Sequence, residues 1–152
     1  AELWAYIQAL SPDIAHKLRK YDKRAGGVQI HIRNNQLKTK QWQCKLSPHT
    51  NSAAIIAKAA YTLFERSYSW DYPIRSVTVR AIDLYAASAP EQLDMFGNAA
   101  VVDKKERLES VVEEIHRRFG KNSILPATIS RSLPKLPTDR EVEIRMPTGM
   151  LS

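Results

Sequence analysis

Apolar and polar positions alternate along this chain in a way that predicts helices and strands in turn. Between residues 2 and 21, Leu3, Ile7, Leu10, Ile14 and Leu18 recur at three- and four-residue spacings, with Trp4 and Ala15 widening the stripe. That period predicts an amphipathic helix. Ser11-Pro12 interrupts the run, since Ser11 can cap and Pro12 suits a first helical position, so a kink or restart is expected there. Residues 22–27, ending in Gly26-Gly27, read as a turn. Residues 27–33 then alternate strictly, with Val28, Ile30 and Ile32 against Gln29, His31 and Arg33, the period of a half-buried strand. Asn34-Asn35 supplies the turn of a hairpin. Residues 37–46 alternate again, Trp42, Cys44 and Leu46 on one side, Thr39, Gln41, Gln43 and Lys45 on the other.

After the hairpin, a helix capped by Thr50 or Asn51 is expected to run to about residue 67, burying Ile55, Ile56, Ala59, Ala60, Leu63 and Phe64. A third strand over 74–84 sets Val77, Val79 and Ala81 against Ser76, Thr78 and Arg80. Residues 86–100 are small, polar and Pro-containing, hence a loop. Asp103 with Glu106 forms a capping-box-like pair opening a helix over 103–119. Its apolar stripe is Leu108, Val111, Val112, Ile115 and Phe119, Arg117-Arg118 close it, and Gly120 stops it. Residues 125–152, rich in proline, read as an extended tail. The expected fold class is α+β: a small sheet with helices on one face over 1–86, a linker over 87–101, then an amphipathic helix and tail over 102–152.

Composition narrows the function. No apolar run reaches the ~20 residues that span a bilayer, and Glu2 and Trp4 stand where a secretory signal would carry a basic cluster. A lone cysteine, Cys44, excludes an internal disulfide and a cysteine-based zinc site, and its apolar flank reads as core. These features point to the cytoplasm. Charge is uneven: residues 1–86 hold 13 Lys and Arg against 6 Asp and Glu, while 102–152 hold 10 against 8. The polar strand positions combine Gln, Thr, Ser, His, Arg and Lys and lack carboxylates until Asp83. Small hydroxyls and amides among cations are what phosphate positioning uses, so this face is expected to contact nucleic acid. No carboxylate cluster suited to two-metal catalysis, phosphate-cradling Gly-rich loop or catalytic triad is visible, and Asp71 and Asp83 stand apart. Glu113-Glu114 reads as a solvated helix face.

Within the linker, Gln92-Leu93-Asp94-Met95-Phe96 has the form of a docking peptide. Leu93, Met95 and Phe96 would fill a preformed apolar pocket while Gln92 makes one directed hydrogen bond.

The strand Ile74-Arg75-Ser76-Val77-Thr78-Val79-Arg80 followed by Gln92-Leu93-Asp94-Met95-Phe96 resembles the C-terminal part of Y-family, lesion-bypass DNA polymerases of the bacterial DinB/UmuC type. The resemblance implies a little-finger domain that grips the phosphates of a primer–template duplex, and a motif that docks on the replicative sliding clamp. Arg75, Ser76 and Arg80 fall on the family's DNA-contacting strand. His31, Arg33, Lys38, Lys40, Gln41, Gln43 and Lys45 fall on the neighbouring hairpin, by pattern more than by identity. The segment 114–124 resembles the helix that follows the clamp motif in several such proteins. The family's domain opens with a further strand before the first helix, so an open sheet edge is expected here. Residues 141–146, with Val142, Ile144 and Met146 alternating, are the candidate cover, and self-association through the edge is the other. The resemblance implies no cofactor or catalysis in this chain, Mg²⁺ chemistry in the rest of a translesion polymerase, and a place with the bacterial nucleoid. Two other readings stand beside it. One is a protein-interaction scaffold recruiting repair partners through helix 103–119 and the hook. The other, an RNA-binding α+β domain, is disfavoured by a sheet face without stacking aromatics.

Overall fold

Alternation of the kind seen in residues 27–33 sends one half of a strand into a core, and in the structure this strand is the central one, paired on both sides. The computed structural model describes residues 2–89, 98–121 and 123–127. Its elements are α1 (Glu2–Lys20), β1 (Lys23–Asn34), β2 (Thr39–Thr50), α2 (Ala53–Ser67), β3 (Ile74–Ala86) and α3 (Asn98–Phe119). The strands form one antiparallel sheet in the order β2-β1-β3. The fold class is therefore α+β, as the hydrophobic pattern predicts.

Val28, Ile30 and Ile32 of the central strand are buried to 1% exposure or less. They sit beside Cys44 and Trp42 of β2 and Ala81, Val79 and Val77 of β3. Helices α1 and α2 cover this row with Ile7, Leu18, Ile56, Ala57, Ala60 and Phe64. Trp4 lies edge-on to Tyr61 at 5.2 Å between ring centres and packs on the core as expected.

Four local expectations are corrected. Gly26-Gly27 is not the turn, which falls at Tyr21-Asp22 with Asp22 at φ 51°. The two glycines lie inside β1, opposite an irregularity where the register passes from Gly27↔Lys45 to Ala25↔Thr50 and residues 46–49 of β2 are extra. A Cβ at Gly26 would sit 2.6 Å from the Tyr85 ring and 2.8 Å from the Asp83 carbonyl oxygen. Glycine serves close approach of the strands there. His49, from the bulge, stacks on Tyr85 at 4.1 Å with the rings 5° from parallel.

The second correction concerns Ser11-Pro12, through which α1 runs without a break. The Ser11 hydroxyl is buried and donates to the Ile7 carbonyl oxygen at 2.8 Å, which satisfies the group that would otherwise have capped a new helix. Third, α2 is capped by Ser52, whose hydroxyl accepts from the Ile55 amide, while the Thr50 hydroxyl and the Asn51 backbone amide turn to a carboxylate outside α2.

They are engaged by α3, the fourth correction. Part of its apolar stripe faces outward: Leu108, Val111 and Phe119 are 64%, 58% and 74% exposed, while Val112 and Ile115 are half-buried and Val102, ahead of the stripe, is buried. The helix also docks by Glu106, Glu109 and Glu113, spaced to share one helical face. Glu106 is buried; it accepts from the Thr50 hydroxyl at 2.8 Å and the Asn51 amide at 3.0 Å, and pairs with Arg24 at 2.8 Å. Glu109 accepts from the Ser52 hydroxyl at 2.6 Å and from the amides of Ala53 and Ala54 at 2.7 and 3.1 Å. Glu113 pairs with His16 and Arg19 of α1. The physical reason lies in α2. Its first turn carries no acidic residue, so its unpaired amides and positive dipole end take their carboxylate from α3. Glu106 is thus not a capping partner of Asp103, which lies inside the helix and pairs with Arg107 at 2.8 Å. Glu113 is likewise not on a solvated face, whereas Glu114 pairs with Arg117 and Arg118 at the surface.

Glu106→Gln preserves shape but removes the charge opposite Arg24 and weakens two further hydrogen bonds. It should lower the unfolding free energy by about 2 kcal/mol in denaturant titration; a change below about 0.5 kcal/mol contradicts the docking described. Burial pulls the Glu113 carboxyl upward, but His16 and Arg19 outweigh it and hold the group below its ordinary value. A carboxyl depressed in the folded state adds stability above its unfolded pKa of about 4.3 and loses it as pH falls through the folded value. Stability should therefore drop on acidification below about pH 4.3, and Glu113→Gln should flatten that drop. An unchanged pH profile in the variant rules the contribution out.

Candidate nucleic-acid interface

Pairing β1 on both sides aligns the residues that β1 turns away from the helices into rows. Gln29 lies between Gln43 and Arg80, His31 between Gln41 and Thr78, and Arg33 between Thr39 and Ser76. Lys45 extends the surface beside Gly27. None of these positions is Asp or Glu. Gln29 and His31 are half-buried by their neighbours on the strand, and Arg33, Thr39, Gln41, Gln43, Lys45, Ser76, Thr78 and Arg80 are exposed. Both helices that cover the sheet pack on its other face.

Among the described residues no carboxylate pairs with Arg33, Lys45 or Arg80. Arg19 and Arg24, by contrast, are held by carboxylates of α3. Arg33, Lys45 and Arg80 thus bring uncompensated positive charge to the sheet face, among amides and hydroxyls that donate hydrogen bonds without bringing negative charge. Such a surface can hold a polyanion by its backbone oxygens.

The structure brings together most of the residues the sequence singles out. His31, Arg33, Gln41, Gln43, Lys45, Ser76 and Arg80 share the face. Lys38 and Lys40 are placed apart from it, and Arg75 falls at a register irregularity beside it. Lys38 sits in the hairpin turn, its amide donating to Asn34 Oδ1 at 3.0 Å. Lys40 pairs with the buried Ile32 and so belongs to the side the helices cover. Arg75 is the extra residue where the register moves from Arg33↔Ser76 to Asn34↔Ile74. Gln29, Thr39 and Thr78 complete the rows; strand parity was the signal that would have added them to the contact set. Gln92, Leu93, Met95 and Phe96 lie outside the described residues, as do residues 141–146.

Cys44 is half-buried against the core, and burial pushes its thiol upward while a backbone hydrogen bond to Val28 opposes this, leaving a poor nucleophile. Among the described residues no three His, Cys, Asp or Glu side chains could hold a metal ion, and no helix is long and apolar enough to cross a membrane.

Residues 1–95 match the C-terminal domain of the impB/mucB/samB family. The chain is 31% identical over 118 residues to a DNA polymerase IV of Acetivibrio thermocellus, a match covering 78% of this chain and 30% of that protein. It is 29% identical over 124 residues to the DNA polymerase IV of Oceanobacillus iheyensis, covering 81% of this chain and 29% of the relative. With the DNA polymerase IV of Alkaliphilus oremlandii it shares 24% over 130 residues, covering 81% and 32%. The chain thus spans less than a third of the length of each of these relatives.

Proposed function

The chain belongs to the impB/mucB/samB family through its C-terminal domain, a C-terminal region of Y-family polymerases, and on that premise we propose that it holds primer–template DNA and docks on the sliding clamp for a lesion-bypass polymerase. The observation that carries the DNA half is the carboxylate-free sheet face. Arg33, Lys45 and Arg80 supply charge for phosphates, while Gln29, Gln41, Gln43, Ser76, Thr78 and His31 supply neutral donors between them. A sheet face of short amides and hydroxyls grips the backbone and not the base edges, so little sequence preference is expected. That suits an enzyme that must work at any damaged position.

The clamp half rests on the sequence Gln92-Leu93-Asp94-Met95-Phe96. A tether of this kind raises the local concentration of the polymerase at a primer end without adding contacts to DNA. Nucleotidyl transfer, with its Mg²⁺, belongs to other parts of the parent polymerase, and this chain contributes grip and recruitment to DNA repair. Residual edge pairing, between copies or with another strand, fits the outer edges of β2 and β3. A second reading has a specific observation in its favour. The outward stripe of Leu108, Val111 and Phe119 on α3 is the surface an interaction scaffold would present to a repair partner.

Fluorescent primer–template titrated at two salt concentrations tests the DNA half. Binding should weaken with salt, and replacing Arg33, Lys45 and Arg80 by Gln should reduce the log–log salt slope by about 0.9 for each phosphate contact removed. Because the three side chains are exposed, the variant should stay within roughly 0.5 kcal/mol of the parent in stability. Salt-insensitive partner binding with no DNA affinity would instead support the scaffold. For the tether, alanine at both Leu93 and Phe96 should abolish clamp binding and leave DNA affinity intact; unchanged clamp affinity refutes the assignment.

A further inference from the structure

At the hairpin end of the sheet, on the side away from the proposed duplex face, lies a hollow of about 210 Å³. Ile32 forms part of its wall, Tyr68 and Tyr72 line it, and Lys38 and Lys40 stand at it with Asp71. Neither lysine has an ion-pair partner among the described residues. The Asp71 carboxylate accepts from the Ser69 hydroxyl at 2.6 Å. The hairpin tip is tied to this region, since the Asn35 amide donates to the Pro73 carbonyl oxygen at 3.0 Å.

Between Ser69 and Asp71 stands Trp70. Its ring meets Phe64 at 5.5 Å and Tyr68 at 5.6 Å, both nearly perpendicular. Tyr68 is in turn stacked on Phe64 at 5.1 Å, and its hydroxyl donates to the Tyr72 carbonyl oxygen at 2.8 Å. Trp70 is therefore positioned by the ends of a rigid aromatic cluster, yet 70% of it is exposed. Trp70 itself does not line the hollow, but its chain neighbours Ser69 and Asp71 do, together with Lys38 and Lys40, and a large aromatic held in place and left in water is costly to keep unless something covers it.

We propose that Trp70, with Tyr72, Lys38 and Lys40, binds single-stranded DNA adjoining the duplex. A base stacks on the exposed indole, and the two lysines hold flanking phosphates. The chemistry is specific to a strand with free bases: in a duplex the bases are already stacked and offer the indole no face, whereas every unpaired base does. Charge complementarity selects an anion, and the aromatic surface selects one that carries planar rings. Lys38 and Lys40, which the sheet register places apart from the duplex face, thereby acquire a separate role. The inference rests on the proposed DNA-binding function and assigns the unpaired strand to a second surface.

The test titrates the full chain with a twelve-residue oligothymidylate and, separately, with blunt duplex. The single strand should quench tryptophan emission, and Trp70→Phe should remove most of the quenching while keeping affinity within about threefold. Trp70→Ala should weaken single-strand binding about tenfold, the scale of one lost stacking contact. Lys38→Gln with Lys40→Gln should reduce the single-strand salt slope by about 1.4, from about 0.7 per contact. Asp71→Asn should tighten binding by removing the one negative charge at the hollow. Duplex affinity should change less than twofold in all four. Single-strand affinity indifferent to Trp70→Ala and to the lysine pair overturns the inference, as does absence of single-strand binding. Retained duplex binding in that case leaves the sheet-face reading standing, and loss of both removes it as well.

Discussion

The structure depends on β1 being hydrogen-bonded along both edges. A strand so placed cannot slip by one residue without turning Val28, Ile30 and Ile32 to water and Gln29, His31 and Arg33 into the core. Register is therefore fixed by burial, and burial fixes everything attached to it. The two helices have one face to cover, and the polar residues of three strands are gathered on the other. The polar face proposed to hold DNA is thus a consequence of making the core.

Charge is distributed with the same economy. The body carries a strong cationic excess, yet part of it never reaches the sheet face. Arg19 and Arg24 are neutralised by a helix that follows in sequence, through Glu109, Glu113 and Glu106. One of these carboxylates, Glu109, also satisfies the open end of α2. An attachment made of carboxylates is sensitive to acid and salt in a way that an apolar seam is not. It also leaves Leu108, Val111 and Phe119 of the α3 stripe facing outward, which a fully apolar intramolecular seam would have consumed.

How much of this is legible in the sequence varies by element. Period-2 alternation gave the strands and their two faces, because burial on one side only leaves a clean trace in residues such as Val28 to Arg33. The stripe of α2 was legible for the same reason, and that of α1 apart from Leu10, which is exposed while Ala5 and Ser11 are buried. Gly26-Gly27 misled because glycine marks both turns and close strand approach, and only the position of Tyr85 distinguishes them. The α3 stripe misled more deeply. Apolar spacing says which face could be buried, but the competing pattern of Glu106, Glu109 and Glu113 mattered only once the bare end of α2 lay opposite. Lys40 shows the limit for the site itself: a basic residue on a basic hairpin belongs to the face only if its parity agrees, and it pairs with Ile32.

The most direct test of the central claim is residue-level mapping of duplex DNA on the protein by amide chemical shifts. The account predicts that the largest changes fall on Gln29, His31, Arg33, Gln41, Gln43, Lys45, Ser76, Thr78 and Arg80, with the α2 amides of Ala53–Ser67 little moved. Perturbations concentrated on the helical face, or absent from these rows while DNA is bound, would contradict it.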